Sequence, residues 1–185
     1  CAVARPTETQ TPPAGMDWDL WLGPASYRPY HSAYHPWRWR PWWDFGGGTV
    51  GDMACHTFHA YFKELQLGAP KTVYGCGSTR CEGLSTRVET PECQSHANLI
   101  TWEFPARGEL PPLQMQWYDG GMRPPRPVEL DRRVKLPRTG LLFVGEKGKL
   151  MTGYSGGRFL GSRGLSGGLL LPEEKFRDFQ EPAQT

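Results

Sequence analysis

Five cysteines and two closely spaced histidine pairs are the residues best equipped for covalent or metal chemistry in this chain. They are Cys1, Cys55, Cys76, Cys81 and Cys93, with His31 beside His35 and His56 beside His59. A cysteine in first position is what remains when a bacterial lipoprotein signal is cut and the new terminus acylated; the alternative is a fragment boundary. An acyl group on Cys1 would hold the protein on a membrane at about 0.8 kcal/mol per buried CH₂. The other four leave room for disulfides in an oxidising compartment. Cys81 and Cys93 flank a loop containing Gly, Ser, Thr and Pro and form the preferred pair, whereas Cys55 lies in an apolar helical pattern and reads as a buried free thiol. Cys76 and Cys81 lack the second matched pair of a structural zinc site, and each histidine pair lacks a third ligand, so no metal is expected.

The elements that must position these groups follow from composition and pattern. The chain has 185 residues, 38% hydrophobic and 22% charged, enough for one domain with its own core. Its 23 Gly and 18 Pro carry no period, which excludes collagen-like and repeat architectures and predicts long loops. With a net charge of +2 and no basic run standing out, nucleic acid is not an expected partner. No apolar stretch approaches the roughly 20 residues a membrane-spanning helix needs.

Residues 1–15 read as a flexible Thr/Pro-rich tether, and 16–48 as an aromatic arm. In that arm Trp18, Trp21, Trp37, Trp39, Trp42 and Trp43 are interleaved with Tyr27, Tyr30 and Tyr34, and Pro24, Pro29, Pro36 and Pro41 forbid a continuous helix. About half of these rings are expected on the chain's own core and the rest on a partner surface. The best helix spans 49–66, with Thr49 as N-cap, an apolar stripe from Val50 to Leu65, and Gly68 and Pro70 as stop signals. Strand patterns follow at Thr72–Tyr74, Ala97–Phe104, Leu113–Tyr118, Gly140–Val144 and Lys149–Thr152, with a hairpin turn at Glu146-Lys147-Gly148. The reading is an α+β fold over 16–171: a mostly antiparallel open sheet, one main helix, a long Pro/Trp-rich N-terminal arm, and an irregular C-terminal tail over 172–185.

Several segments, taken in order, resemble secreted bacterial proteins of the Gfo/Idh/MocA oxidoreductase family, in their C-terminal domain. They are Met16–Pro24, Arg28-Pro29-Tyr30-His31, Tyr34-His35-Pro36, Trp42–Gly48, Gly51-Asp52-Met53-Ala54-Cys55-His56, Thr101–Gly108, Trp117–Gly121 and Phe143–Leu150. The resemblance implies a sheet-forming domain, often a dimer interface, that normally works beside an N-terminal Rossmann domain holding NAD(P). It also implies that Asp52 and His56 stand at the positions that present an acid–base pair to a sugar-like substrate, with His31, His35 and Trp43 on the substrate side. The spacing suits that role, since residues i and i+4 share a helix face and a carboxylate can orient an imidazole for proton transfer.

Two departures argue against catalysis by these residues alone. No Gly-x-Gly-x-x-Gly follows a strand and opens a helix, and the family's catalytic Lys, near a Glu-Lys-Pro sequence, has no counterpart here. His59 stands where relatives usually carry an Asp three residues after the His, so the role of Asp52 and His56 is expected to be vestigial. No cofactor is therefore expected, and NAD(P) only if a Rossmann domain is supplied elsewhere. The resulting expectation is a non-catalytic accessory subunit, lipid-anchored through Cys1 on the periplasmic face of a membrane-protein complex, of which a photosynthetic reaction centre is one example. The alternative is the C-terminal substrate or dimerisation domain of an NAD(P)-dependent sugar oxidoreductase.

Overall fold

A computed structural model describes residues 4–153 and 168–178. The expected lipidation residue, Cys1, lies outside them, as do residues 154–167 and 179–185. The fold is α+β, and every strand pairing is antiparallel. Helix α1 is Trp18–Leu22 and α2 is Gly48–Glu64; the strands are β1 Thr72–Gly77, β2 Arg80–Glu82, β3 Thr86–Val88, β4 Asn98–Phe104, β5 Leu113–Tyr118, β6 Leu141–Gly145, β7 Gly148–Thr152 and β8 Leu169–Leu171. The chain divides into two compact units, 1–55 with 65–123 and 56–64 with 124–185. No helix among the described residues is long and apolar enough to cross a membrane.

In the first unit the aromatic arm has its own core. Asp17 caps α1, its carboxylate accepting from Leu20 N–H at 3.0 Å. Trp18, Leu22, Tyr30, Tyr34, Trp42 and Cys93 are buried together. Burying an indole is stable only if its N–H finds an acceptor, and Trp18 donates to Arg28 O at 2.7 Å while Trp42 donates to Ala33 O at 3.0 Å. Residues 4–15, expected as a tether, contain no helix or strand but are tied down: Gln10 N–H donates to Tyr30 O, and Arg5 pairs with Glu92 at 2.7 Å.

The same unit carries the sheet β1-β4-β5. Register places Val73, Trp102 and Met115 on one face and Thr72, Glu103 and Gln114 on the other. Alternation along β5 is as expected from sequence, with Leu113, Met115 and Trp117 half-buried and Gln114 and Gln116 exposed. A short hairpin, β2-β3, was not foreseen; all of β2 is exposed, and Leu84 at its tip is fully so.

The second unit holds β6-β7-β8 over a core of Leu130, Met151, Leu169 and Leu171. Gly145 pairs with Gly148, so Glu146 and Lys147 form the expected two-residue turn. The end of α2 contributes Tyr61, which meets Phe143 edge-on with centroids 5.8 Å apart. The tail begins with a short 3-10 helix, Glu173–Phe176, where an extended segment was expected.

Two details of α2 differ from expectation. It starts at Gly48 rather than after a Thr49 cap, and it ends at Glu64, before Gly68. Gln66 takes the left-handed conformation (φ +50°) that the glycine was expected to supply, so the chain turns two residues early.

Candidate functional site

Asp52 and His56 both lie on α2, in the i, i+4 relation that puts two side chains over one helix face. Their surroundings differ. Asp52 Oδ2 accepts a hydrogen bond from Arg40 Nε at 2.8 Å, within an ion pair whose side chains are 25% and 31% exposed. The Arg40 guanidinium lies 4.0 Å from the centroid of the Trp37 ring and 4.7 Å from that of Trp39, and donates to Trp37 O. Two indole faces and a carboxylate thus hold one cation. His56 and His59 are exposed and, among the described residues, have no hydrogen-bonding or ionic partner.

The loop that aims Arg40 is held by the turns around it. Gly48 N–H donates to Arg40 O at 2.9 Å, and a side chain at Gly46 would put its Cβ 2.4 Å from that same oxygen. The Gly-rich run before α2 therefore lets the tryptophan loop close against the start of the helix. This accounts for Gly46 by close backbone approach, while Gly48 takes a positive φ of 64°.

A second cluster is centred on Arg28, which is buried beneath the rings of Tyr34 and Phe45. Its guanidinium pairs with Asp44, and Glu92 lies 3.6 Å from Nη1. Burying an arginine is tolerable only with such partners, and Arg28 here joins the arm to the strand-leading loop around Glu92.

The residues expected on the substrate side each have their own surroundings. His31 Nδ1 accepts from Ala33 N–H at 2.9 Å, and its Nε2 lies 3.1 Å from the Gln10 amide nitrogen, a structural role. His35 stands edge-on to Trp21, centroids 5.9 Å apart, with a buried Nδ1 that has no partner. Trp43 is 58% exposed. The cysteine expectations require correction. No disulfide joins Cys81 to Cys93, because Cys81 is exposed on β2 while Cys93 is buried in the aromatic core and bridges Trp42 through its backbone. Cys55, expected to be buried, is exposed and donates to Asp52 O at 3.5 Å. Among the described residues no group of His, Cys, Asp and Glu could hold a metal ion.

Nor do the described residues fit a nicotinamide cofactor. A dinucleotide is held by a glycine turn between a strand and a helix that crosses to a parallel strand, and every pairing here is antiparallel. Sequence reasoning missed Arg40 and Arg28. Neither shares a periodic pattern with its carboxylate, so only the folded loop brings the charges together.

Comparison with known families matches residues 4–68 to the oxidoreductase family, C-terminal alpha/beta domain, of the Gfo/Idh/MocA type. The match takes in the aromatic arm, the Arg40–Asp52 pair and the whole of α2. No curated protein matches the chain. Residues 4–68 are thus similar to the Gfo/Idh/MocA oxidoreductase C-terminal domain family.

Proposed function

We propose that this domain acts as a structural interaction module, built on an oxidoreductase C-terminal fold and docked on the periplasmic side of a membrane-protein complex. The observation that carries the non-catalytic part is the Arg40–Asp52 pair. A carboxylate that orients an imidazole for proton transfer must face it, whereas Asp52 Oδ2 is taken up by the Arg40 guanidinium at 2.8 Å and His56 has no side-chain partner among the described residues. The interaction part is supported by rings held outward on a rigid support. Tyr27 is 75% exposed, Trp37 72% and Trp43 58%, while Trp18, Tyr34 and Trp42 of the same arm are buried. Exposed Trp and Tyr flanked by Arg are the residue types that dominate protein interfaces.

The test compares association with chemistry. Native protein is isolated from its source membranes with whatever accompanies it, and an Asp52→Asn/His56→Ala variant is compared with it. Retained association in the variant is expected. Sugar oxidation dependent on NAD(P) by the native protein, abolished in the variant, would overturn the proposal in favour of the enzyme-domain reading.

A further inference from the structure

The cations of the second unit are concentrated in one loop. Residues 124–138 hold five basic side chains (Arg126, Arg132, Arg133, Lys135 and Arg138) against Glu129 and Asp131, a net +3 within a chain whose total is +2. Prolines, apolar residues and the two acids interrupt the basic side chains, of which only Arg132 and Arg133 are adjacent.

The fold disposes of the acids and leaves cations over. Glu129 is bonded to Lys149 of β7, and Asp131 to Arg133 at 2.7 Å. Both carboxylates are held below their usual range, chiefly by those hydrogen bonds, and stay charged and occupied. Arg126 is itself exposed, but its guanidinium donates to the carbonyls of Leu130, Asp131 and Val134 and so ties the loop together. Leu130 is buried, and Val134 and Leu136 pack against the same core. Between and after them in sequence, Arg132, Lys135 and Arg138 are exposed and, among the described residues, have no acidic partner. Val128, in the same loop, is 93% exposed.

We infer that this loop is a docking surface for an anionic lipid bilayer. A loop with three exposed cations that lack acidic partners, and an exposed valine, is complementary to a negative surface with an apolar layer beneath it. Each Lys or Arg brought to such a surface strengthens binding about five-fold at physiological ionic strength. No aromatic side chain lies among these cations for a nucleobase to stack on, which disfavours a single-stranded nucleic acid. The inference stands apart from the proposal above, since the loop belongs to a different compact unit from the Arg40–Asp52 pair.

The experiment is sedimentation of the unacylated 185-residue chain with vesicles of phosphatidylcholine alone, or of phosphatidylcholine mixed with phosphatidylglycerol. Binding to the mixed vesicles only is expected, with release when salt shortens the Debye length to about 3 Å. Arg132→Gln/Lys135→Gln/Arg138→Gln should weaken that binding on the order of a hundred-fold. Arg38→Gln/Lys71→Gln/Arg87→Gln, which removes the same charge from exposed sites in the first unit, should weaken it far less. Unaltered thermal melting of both variants confirms folding. Equal binding to both vesicle types, or equal loss in both variants, would overturn the inference. So would binding to polyglutamate without binding to vesicles, which would assign the loop to an acidic protein instead. None of these outcomes bears on whether Asp52 is catalytic.

Discussion

Arg40 and Asp52 are separated by twelve residues, yet the guanidinium Nε of one donates to the carboxylate of the other across 2.8 Å. The pair is partly exposed, so its charge–charge part contributes no more than about 1 kcal/mol. Stacking on two indoles contributes a comparable amount per ring. Arg40→Ala should therefore destabilise the domain by about 1–2 kcal/mol, and Asp52→Asn by less than about 1 kcal/mol, because the second change leaves the stacked cation in place. Urea denaturation midpoints compare the two. Equal losses would show that the carboxylate, and not the ring sandwich, holds the loop.

Neighbouring tryptophans of the arm should respond very differently to truncation. Trp42 is 1% exposed, packs edge-on to Tyr34 and gives its N–H to Ala33 O, whereas Trp37 is 72% exposed. Trp42→Ala leaves a cavity and an unpaired carbonyl and should cost about 3–5 kcal/mol. Trp37→Ala should cost under about 1 kcal/mol. Thermal or urea unfolding of the two variants provides the check, and similar losses would mean that Trp37 is covered in the folded protein.

How far the residues foretold this structure depends on whether the determining contact was local. Helix α2 was legible because Val50, Met53, Ala54, Phe58, Tyr61, Phe62 and Leu65 recur at helical spacing, and β5 because Leu113, Met115 and Trp117 alternate with glutamines. The helix end was misplaced because a left-handed Gln66 costs little enough for the chain to turn before Gly68. The Cys81–Cys93 pairing failed because loop length says nothing of which cysteine the aromatic core will enclose. In the candidate site, Asp52 and His56 were visible as a helical pair. The partner that Asp52 binds comes from an irregular loop, where no periodicity announces an arginine.

The corner after β5 shows why the segment Trp117–Gly121 has the residues it has. Buried Asp119 accepts from the Asn98 backbone N–H at 2.6 Å and from the Trp117 indole at 2.9 Å, tying β4 to β5. Asp119→Ala should cost about 2–4 kcal/mol, since charge-assisted bonds are lost and buried donors are left unpaired. Gly120 follows at φ +63°, and a Cβ there would sit 2.3 Å from that of Ala97. Gly120→Ala should therefore be far more damaging than Gly108→Ala, where φ is +55° but no atom lies within 4 Å and only backbone strain of about 1 kcal/mol applies. Expression yield and urea midpoints distinguish the cases.

Tyr61 should make stability depend on pH in the alkaline range. Burial beside Phe143 raises its hydroxyl above the ordinary value of 10.0, and a hydrogen bond with Thr57 only partly opposes this. Between the unfolded and folded values the native state holds a proton that the unfolded chain has lost. Stability is then full below about pH 10 and falls as pH rises through the folded value. Tyr61→Phe removes this titration, so its stability should fall less steeply than that of the native chain above that pH. Urea denaturation of both proteins from pH 8 upward, with the difference taken at each pH, measures the effect. Parallel curves would mean that the hydroxyl reaches water in the folded protein, and that the ring pair with Phe143 does not enclose it.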